Sequence, residues 1–155
     1  MTNFFLCLAS FLARILPDRF KKLLYAIDPL ARRIRAALNR AAPSGLTEVT
    51  VAAGALKGAR LQLDLQLEKD YWLGSYETDL QQAVSDLVQP GMTVYDVGAN
   101  IGYISLLLAR AVGEQGRVFS FEALPANLDR LCHNLNINSF GERVQIISAA
   151  VGVDS

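Results

Sequence analysis

Apolar side chains recur at every second position in two short segments near residues 49–67. This period-2 alternation predicts two β-strands, each with one buried face. Gly54 and Gly58 lie between the two segments and favour a reversal of the chain, so we predict a β-hairpin within residues 44–70. The alternating positions are Val49, Val51 and Ala53 in the first segment and Leu61, Leu63, Leu65 and Leu67 in the second.

Helical spacing replaces this alternation further along the chain. From Leu80 onward, apolar residues recur three or four positions apart. Thr78 and Gln81 stand at the spacing of a capping box, in which each side chain accepts a hydrogen bond from the other residue's backbone N–H. The sequence therefore predicts a helix that begins near Thr78 and is ended by Pro90-Gly91.

From residue 92 the chain alternates between short apolar strands and longer amphipathic helices. Such alternation predicts parallel strands joined by right-handed crossovers. The expected fold class is α/β, with the first three parallel strands and their helices forming the front half of a doubly wound sheet. The predicted segments are strands at 92–97, 117–122 and 143–148 and helices at 101–112 and 125–138.

The first 43 residues differ from the rest in being basic and amphipathic. Residues 4–16 are mostly apolar but fewer than the roughly 20 residues of a membrane-spanning helix. Residues 18–40 place apolar side chains at helical spacing among basic ones, and residues 41–45 have the composition of a linker. This helical segment fits either peripheral contact with an anionic membrane surface or packing on the domain.

Charge separates the same two regions. Residues 1–43 hold eight Lys and Arg against two acidic residues, a net charge of +6, whereas residues 44–155 hold seven against thirteen, a net charge of −6. The acidic region lacks the clustered basic side chains that phosphate contacts need. A nucleic-acid partner is therefore not expected.

The cysteines and the single histidine suggest no metal or disulfide chemistry. Cys7 and Cys132 show no disulfide or metal spacing and are expected to be ordinary buried or half-buried thiols. Free thiols favour a cytoplasmic setting. His133 is expected on a helix surface, and it has no Cys or His partner at ligand spacing, so no metal site is expected.

Candidate chemistry is concentrated where the first strand of the α/β region meets its helix. The string VYDVGANIGYIS places Asp96, Gly98, Asn100 and Gly102 at this junction. Ligands of such sheets bind at the carboxyl ends of the strands. Gly98 allows a tight turn and close approach of the backbone to a ligand. Gly102 should let the following helix pack on the strand, and Asp96 offers a carboxylate to a cationic or amine-bearing ligand.

The residue types in this loop narrow the class of ligand. A dinucleotide fingerprint would need glycine where Asn100 and Tyr103 stand, and a P-loop would end in Gly-Lys-Ser/Thr, which the sequence lacks. The loop contains no Lys or Arg, so a pyrophosphate is disfavoured. A ligand that carries an amino acid and a sulfonium fits better. A nicotinamide-dependent oxidoreductase is the weaker alternative.

A second acidic residue, Glu122, ends the next predicted strand, 20 residues after Gly102. In Rossmann-like sites a carboxylate at this place can accept both ribose hydroxyls of an adenosine. The alternative interpretation is a loop glutamate that caps the helix beginning at Pro125. Strand, loop and spacing together favour the ribose role.

Several strings around these residues resemble the FkbM family of methyltransferases: VYDVGANIGYISLLLA, GRVFSFEALPANLDRLCHNLNIN, WLGSYE and VQIISAAVG. The resemblance covers roughly Tyr71 to Gly152. It implies a Rossmann-like class I methyltransferase fold, S-adenosyl-L-methionine as the cofactor, and methylation of hydroxyl groups on sugars, glycolipid precursors or other metabolites. Ala123 stands where the family often has proline, which should alter loop stiffness more than ligand choice.

The resemblance also implies a set of cofactor-binding residues. Asp96 and the backbone of the glycine-containing loop would hold the methionine portion, and Glu122 would hold the ribose. Tyr76 and Glu77 would either close over the cofactor or form a structural cap. The implied set is Asp96, Gly98, Ala99, Asn100, Gly102, Glu122, Tyr76 and Glu77, with Ala123 and Ala150 beside the adenine.

The expected organisation is a basic helical segment at 1–43, a β-hairpin at 44–70 and the N-terminal half of a methyltransferase domain at 71–155. A complete fold of this class continues past the third strand, so the acceptor-binding half is expected to be missing and the chain to be truncated. Neither a catalytic base nor the methyl acceptor can be named from these residues. Truncation leaves the alternative of a non-catalytic module that binds cofactor or a membrane surface.

Overall fold

The computed structural model describes residues 44–152. The basic amphipathic segment expected at 1–43, which includes Cys7, lies outside the described residues. The strands are β1 (Leu46–Thr50), β2 (Arg60–Asp64), β3 (Thr93–Val97), β4 (Arg117–Phe121) and β5 (Val144–Ile147). The helices are α1 (Lys69–Leu73), α2 (Thr78–Leu87), α3 (Tyr103–Val112) and α4 (Pro125–Ile137).

The predicted β-hairpin is present. Strands β1 and β2 pair antiparallel, with Val49 opposite Leu61. The chain between them is closed by the Val51 amide, which donates to the Ala59 carbonyl at 2.8 Å. Leu61 and Leu63 of β2 are fully buried. The alternation therefore marked the buried face through Leu65, but it was wrong for Leu67, which lies beyond the end of β2 at Asp64 and is 84% exposed.

Helix α1 was not predicted from the sequence. It is only five residues long and buries a single side chain, Trp72, so it carries too few apolar positions to show a helical period. Gly74 ends it in the left-handed conformation, with φ of +72°. A Cβ at this residue would come within 1.9 Å of the Ala53 carbonyl oxygen, so the hairpin loop packs here only against glycine.

Helix α2 begins at Thr78 as predicted, but the expected capping box is wrong. The N-cap is Glu77, which adopts a left-handed φ of +44°, and no side chain caps the helix. Gln81 is buried, and its amide group points into the domain. Its Oε1 accepts from the Ala55 amide at 2.9 Å, and its Nε2 donates to the Tyr76 carbonyl and to the Tyr103 hydroxyl. Gln81 therefore joins three chain segments instead of closing its own helix.

The predicted parallel sheet is also present. Strand β4 lies in the middle, paired in parallel with β3 on one side and β5 on the other. Val94 aligns with Val118, which in turn aligns with Val144. Helices α3 and α4 follow β3 and β4 in the chain, which gives the α/β order expected of a Rossmann-like fold.

The two faces of this sheet differ in what covers them. Val94, Val118 and Val144 belong to the face that packs into the hydrophobic core with the helices. On the other face, Tyr95 stacks on Phe119 with ring centroids 5.4 Å apart and remains 65% exposed. Val97 is 61% exposed. Among residues 44–152, one sheet face is buried and the other is open.

Side chains of α4 attach the hairpin to the sheet. Asn134 is fully buried; its Oδ1 accepts from the Gln62 amide of β2 at 2.7 Å, and its Nδ2 donates to the Ile101 carbonyl at 2.8 Å. His133 lies on the surface of α4, as expected, 3.0 Å from a carboxylate oxygen of Glu48. Cys132 is exposed, which contradicts the expected burial, because it lies on the solvent side of the amphipathic helix.

Candidate functional site

The loop between β3 and α3 bends through left-handed residues. Gly98, Asn100 and Gly102 have φ values of +82°, +50° and +91°. The amides of Gly98 and Ala99 both donate to the Phe121 carbonyl at 2.9 Å, which fixes the bend against the end of β4. A Cβ built at Gly98 would meet no protein atom within 4 Å, so this part of the bend presents bare backbone to open space.

Gly102 has a different structural reason to be glycine. It is the N-cap of α3, and a Cβ there would come within 2.6 Å of Leu131 Cδ1. The sequence predicted close packing of the following helix on the strand. The close neighbour is instead a side chain of α4, so Gly102 allows the loop to approach the second crossover helix.

Asp96 lies near the end of β3, on the helix-covered face of the sheet. Only 7% of its surface is exposed, and the Ser105 hydroxyl donates to Asp96 Oδ2 at 2.6 Å. Burial raises the pKa of Asp96; the Ser105 hydrogen bond opposes this shift and the negative charge of Glu122 adds to it. The site therefore contains a carboxylate that is costly to ionise without a positively charged partner.

Glu122 lies directly after β4 and accepts hydrogen bonds from two loops. Its Oε2 accepts from the Asn100 amide at 2.8 Å, while its Oε1 accepts from the amides of Ala123 and Leu124 at 3.1 and 2.9 Å. The hydrogen bond from Leu124 is the largest of several that lower the pKa of Glu122. No side chain caps α4, so the capping interpretation is wrong. The Glu122 carboxylate instead orders the two residues before the helix and joins them to the glycine loop.

Tyr76 and Glu77 lie at the entrance to α2. The Tyr76 ring stacks on Tyr71 with centroids 4.1 Å apart and meets the edge of Tyr103 at 5.6 Å. Since Tyr103 is the first residue of α3, directly after Gly102, this ring contact places Tyr76 beside the end of the glycine loop. The hydrogen bond from Tyr71 lowers the pKa of Tyr76, whereas burial and the neighbouring Glu77 and Asp96 raise it. The net effect is a raised pKa. Glu77 is exposed, and its backbone forms the left-handed cap of α2.

The remaining implied residues lie at the same end of the sheet. Because the strands are parallel, the carboxyl ends of β3, β4 and β5 share one edge. Ala123 is exposed beside Glu122, and Ala150 is exposed three residues after the end of β5. A direct hydrogen bond joins Glu122 to the glycine loop, and Asp96 lies in the strand that leads into this loop, where its side chain is bonded to Ser105. Ala150 shares their end of the sheet.

Four buried polar residues around the site were missed by the sequence reasoning: Gln81, Ser105, Ser120 and Asn134. Ser105 interrupts the apolar run ISLLLA, and Ser120 stands at a core position of β4. A polar residue at a position that should be apolar is the signal that could have identified both. Gln81 was assigned to a helix cap, and Asn134 gave no separate signal.

Residues 96–154 match the family model described as the methyltransferase FkbM domain. The match confirms the resemblance seen in the sequence and covers the end of β3, the glycine loop, Glu122 and α4. This segment is therefore similar in sequence to methyltransferases of that family.

Two curated relatives are also methyltransferases. The chain is 42% identical over 62 residues to the tRNA (adenine(58)-N(1))-methyltransferase TrmI of Thermus thermophilus, covering 39% of this chain and 24% of that protein. It is 39% identical over 59 residues to the protein-L-isoaspartate O-methyltransferase of Aeropyrum pernix, covering 38% of this chain and 23% of that protein. The chain thus spans about a quarter of the length of these relatives.

A solved structure supports the fold. A protein of Pyrococcus horikoshii described as a transferase superposes with a TM-score of 0.54 at 16% identity, covering 91% of this chain and 62% of that chain. At this identity the likeness concerns the fold alone. Together with the parallel sheet, it confirms the Rossmann-like α/β architecture predicted from the sequence.

The relatives also bear on the choice of acceptor. By their names, one acts on tRNA and another on protein, so they give no support to the exclusion of nucleic acid inferred from the acidic charge.

Within the described part of the chain, no cluster of His, Cys, Asp or Glu could hold a metal ion. No helix among residues 44–152 is both long and apolar enough to cross a membrane.

Proposed function

We propose that this chain, whose residues 96–154 match the FkbM methyltransferase family, forms the S-adenosyl-L-methionine-binding part of a methyltransferase. The observation that carries the proposal is the arrangement of residues at the carboxyl ends of β3 and β4. There a bare left-handed bend lies between two carboxylates of different character, Asp96 and Glu122. Neither the bend nor these strand ends contain Lys or Arg, which agrees with a cationic ligand and not with a pyrophosphate.

The residues present fit the chemistry of this cofactor. Its sulfonium carries the electrophilic methyl group, and its amino group is a second positive centre. Asp96 is assigned to the amino acid portion, because a buried carboxylate gains most from a positively charged partner. The exposed backbone at Gly98 lets the cofactor approach without meeting a side chain.

Glu122 is assigned to the ribose, with a refinement from the structure. A carboxylate offers about four acceptor sites. Oε1 accepts from Ala123 and Leu124, whereas Oε2 accepts from Asn100. Oε2 therefore has more remaining capacity, and we expect it to receive the principal ribose hydroxyl bond. Ala123 and Ala150 are assigned to the border of the adenine, and Tyr76 with Glu77 to a cap over the site.

We further propose that the acceptor is a hydroxyl group of a sugar or another small metabolite. The FkbM match and the net charge of −6 over residues 44–155 support this acceptor over a polyanion. The protein would position the acceptor oxygen in line with the sulfonium methyl. Methyl-transfer assays comparing a hydroxylated glycan precursor with tRNA would test this part, and transfer to tRNA alone would contradict it.

Cofactor binding is tested first by calorimetric titration with S-adenosylhomocysteine and, separately, with NAD. We expect saturable binding of S-adenosylhomocysteine that NAD does not displace. Glu114→Ala serves as a matched control for variants of the two site carboxylates, Asp96 and Glu122, because Glu114 is an exposed carboxylate whose side chain is 90% accessible. Binding of NAD in preference to S-adenosylhomocysteine would reject the proposal in favour of an oxidoreductase.

A further inference from the structure

Beneath the glycine loop, three polar side chains form a buried chain of hydrogen bonds. Ser120 of β4 lies 2.8 Å from Ser105 of α3, oxygen to oxygen, and Ser105 lies 2.6 Å from Asp96 Oδ2. We propose that Ser105, supported by Ser120, is a positioning residue that holds the Asp96 carboxylate in one orientation for the cofactor. This inference rests on the proposed cofactor-binding role of Asp96.

The setting makes these hydroxyl groups hard to explain by packing alone. Both serines have no exposed surface, and their neighbours along α3 and β4, such as Leu106 and Val118, are fully buried apolar residues. A buried hydroxyl costs free energy unless it is hydrogen-bonded. Alanine would fill such positions without that cost. In the described part of the chain, the hydrogen bonds of these two hydroxyls run from Ser120 to Ser105 and from Ser105 to Asp96.

The Ser105 hydroxyl donates to a residue outside its own helix. A serine inside a helix commonly donates to the carbonyl four residues earlier, which here is Ile101. That carbonyl instead accepts from Asn134 Nδ2. The Ser105 hydroxyl reaches across to the strand, so it acts on Asp96 and not on its own helix.

The charge of Asp96 determines which group donates each hydrogen bond in this chain. An ionised carboxylate only accepts hydrogen bonds, and a serine hydroxyl has one hydrogen. Ser105 must therefore donate to Asp96, and Ser120 must donate to Ser105. This one-way chain fixes Oδ2 and assigns Oδ1 to the ligand. If Asp96 is protonated it can donate, and the order of the chain is no longer imposed.

The other groups that act on Asp96 do not favour its charge. Glu122, from the end of β4, is negative, and Tyr76, from the segment before α2, is a neutral phenol. Neither compensates a buried negative charge. Among the interactions described for Asp96, the Ser105 hydrogen bond is the one that stabilises the ionised form.

The test has two readouts on the whole chain. The first is the pKa of Asp96 in the ligand-free protein, followed by carboxyl carbon NMR in wild type, Ser105→Ala and Ser120→Ala. The second is the affinity for S-adenosylhomocysteine across pH. Because Ser105 acts on binding only through Asp96, we expect Ser105→Ala to raise the Asp96 pKa and to weaken binding by about three- to fivefold near neutral pH, no more than removal of the Asp96 charge itself. Ser120→Ala should shift both in the same direction by less.

A double variant separates positioning from general loss of structure. In an Asp96→Asn background, adding Ser105→Ala should change affinity less than about twofold, because the charge through which Ser105 acts is already gone. If Ser105→Ala does not fold, Ser105→Cys, a weak donor, is measured in its place together with Ser120→Ala. An unchanged Asp96 pKa in these variants, or equal losses in both backgrounds, would overturn the inference. Failure of the wild-type protein to bind S-adenosylhomocysteine would instead overturn the proposed function, since the ligand-free NMR titration does not depend on it.

Discussion

The two carboxylates at the ends of β3 and β4 lie in the same site but are held in different ways. Glu122 is surrounded by main-chain amides, which keep it charged and lower its pKa. Asp96 is buried, is bonded by one side-chain hydroxyl and has a raised pKa. Loop geometry therefore maintains one charge, whereas a specific side chain maintains the other. Glu122 should therefore matter most for assembling the site, and Asp96 for the dependence of its affinity on charge.

The largest effect is expected from Glu122→Ala. The change removes the proposed ribose acceptor and leaves three amides of two loops without their partner. Removing a charged acceptor costs about 1.5–3 kcal/mol, so affinity for S-adenosylhomocysteine should fall at least tenfold by calorimetry. Glu122→Gln, which keeps one acceptor oxygen, should lose less. Unchanged affinity in Glu122→Ala would remove the ribose assignment and leave Glu122 only the role of joining the two loops.

A smaller loss of affinity is expected from Asp96→Asn, which keeps the shape of the side chain and removes its charge. The proposed partner is a protonated amino group, so the change replaces an ion pair with a hydrogen bond from that group to a neutral amide oxygen. We expect a loss of about three- to tenfold near neutral pH, because the hydrogen bond is kept and the attraction between opposite charges is lost. A loss exceeding that of Glu122→Ala would reverse the proposed order of the two carboxylates.

The comparison also predicts a pH dependence of binding. As pH falls, Asp96 is protonated first because its pKa is raised above its usual value, whereas the lowered pKa of Glu122 keeps that group ionised further into the acid range. Affinity for S-adenosylhomocysteine in wild type should therefore decline on the acid side before Glu122 titrates. Asp96→Asn should lack this first decline. The same decline in both proteins would assign it to another group.

Asp96→Asn should increase the stability of the fold, although it should weaken cofactor binding. A pKa raised on folding means that ionisation of Asp96 opposes the folded state as pH rises through that pKa. Asp96→Asn removes this cost, so the free energy of unfolding near neutral pH should rise, by about 0.5–2 kcal/mol as for other stabilising substitutions. Denaturant unfolding at pH 7 measures it. A lower stability in Asp96→Asn would show that the charged form is already well compensated.

Local rules explain how much of this site could be predicted from the sequence. Gly98 and Asn100 mark the bend because few other residues adopt positive φ, and Glu122 follows a recognisable strand. Gln81 was misassigned because a capping-box spacing says nothing of which way the side chain turns. Ser105 and Ser120 were missed because their pairing joins a helix to a neighbouring strand, and that contact exists only once the sheet has formed.

Asn134 has a practical consequence for any attempt to isolate the site. Its amide group links the Gln62 backbone of the hairpin to the Ile101 carbonyl under the glycine loop, so a strand far upstream in sequence helps to support the cofactor end of the sheet. A protein trimmed to the matched residues 96–154 would leave that amide with an unsatisfied oxygen in an apolar setting. The smallest useful domain therefore starts at the hairpin, well before the first residue assigned to the cofactor.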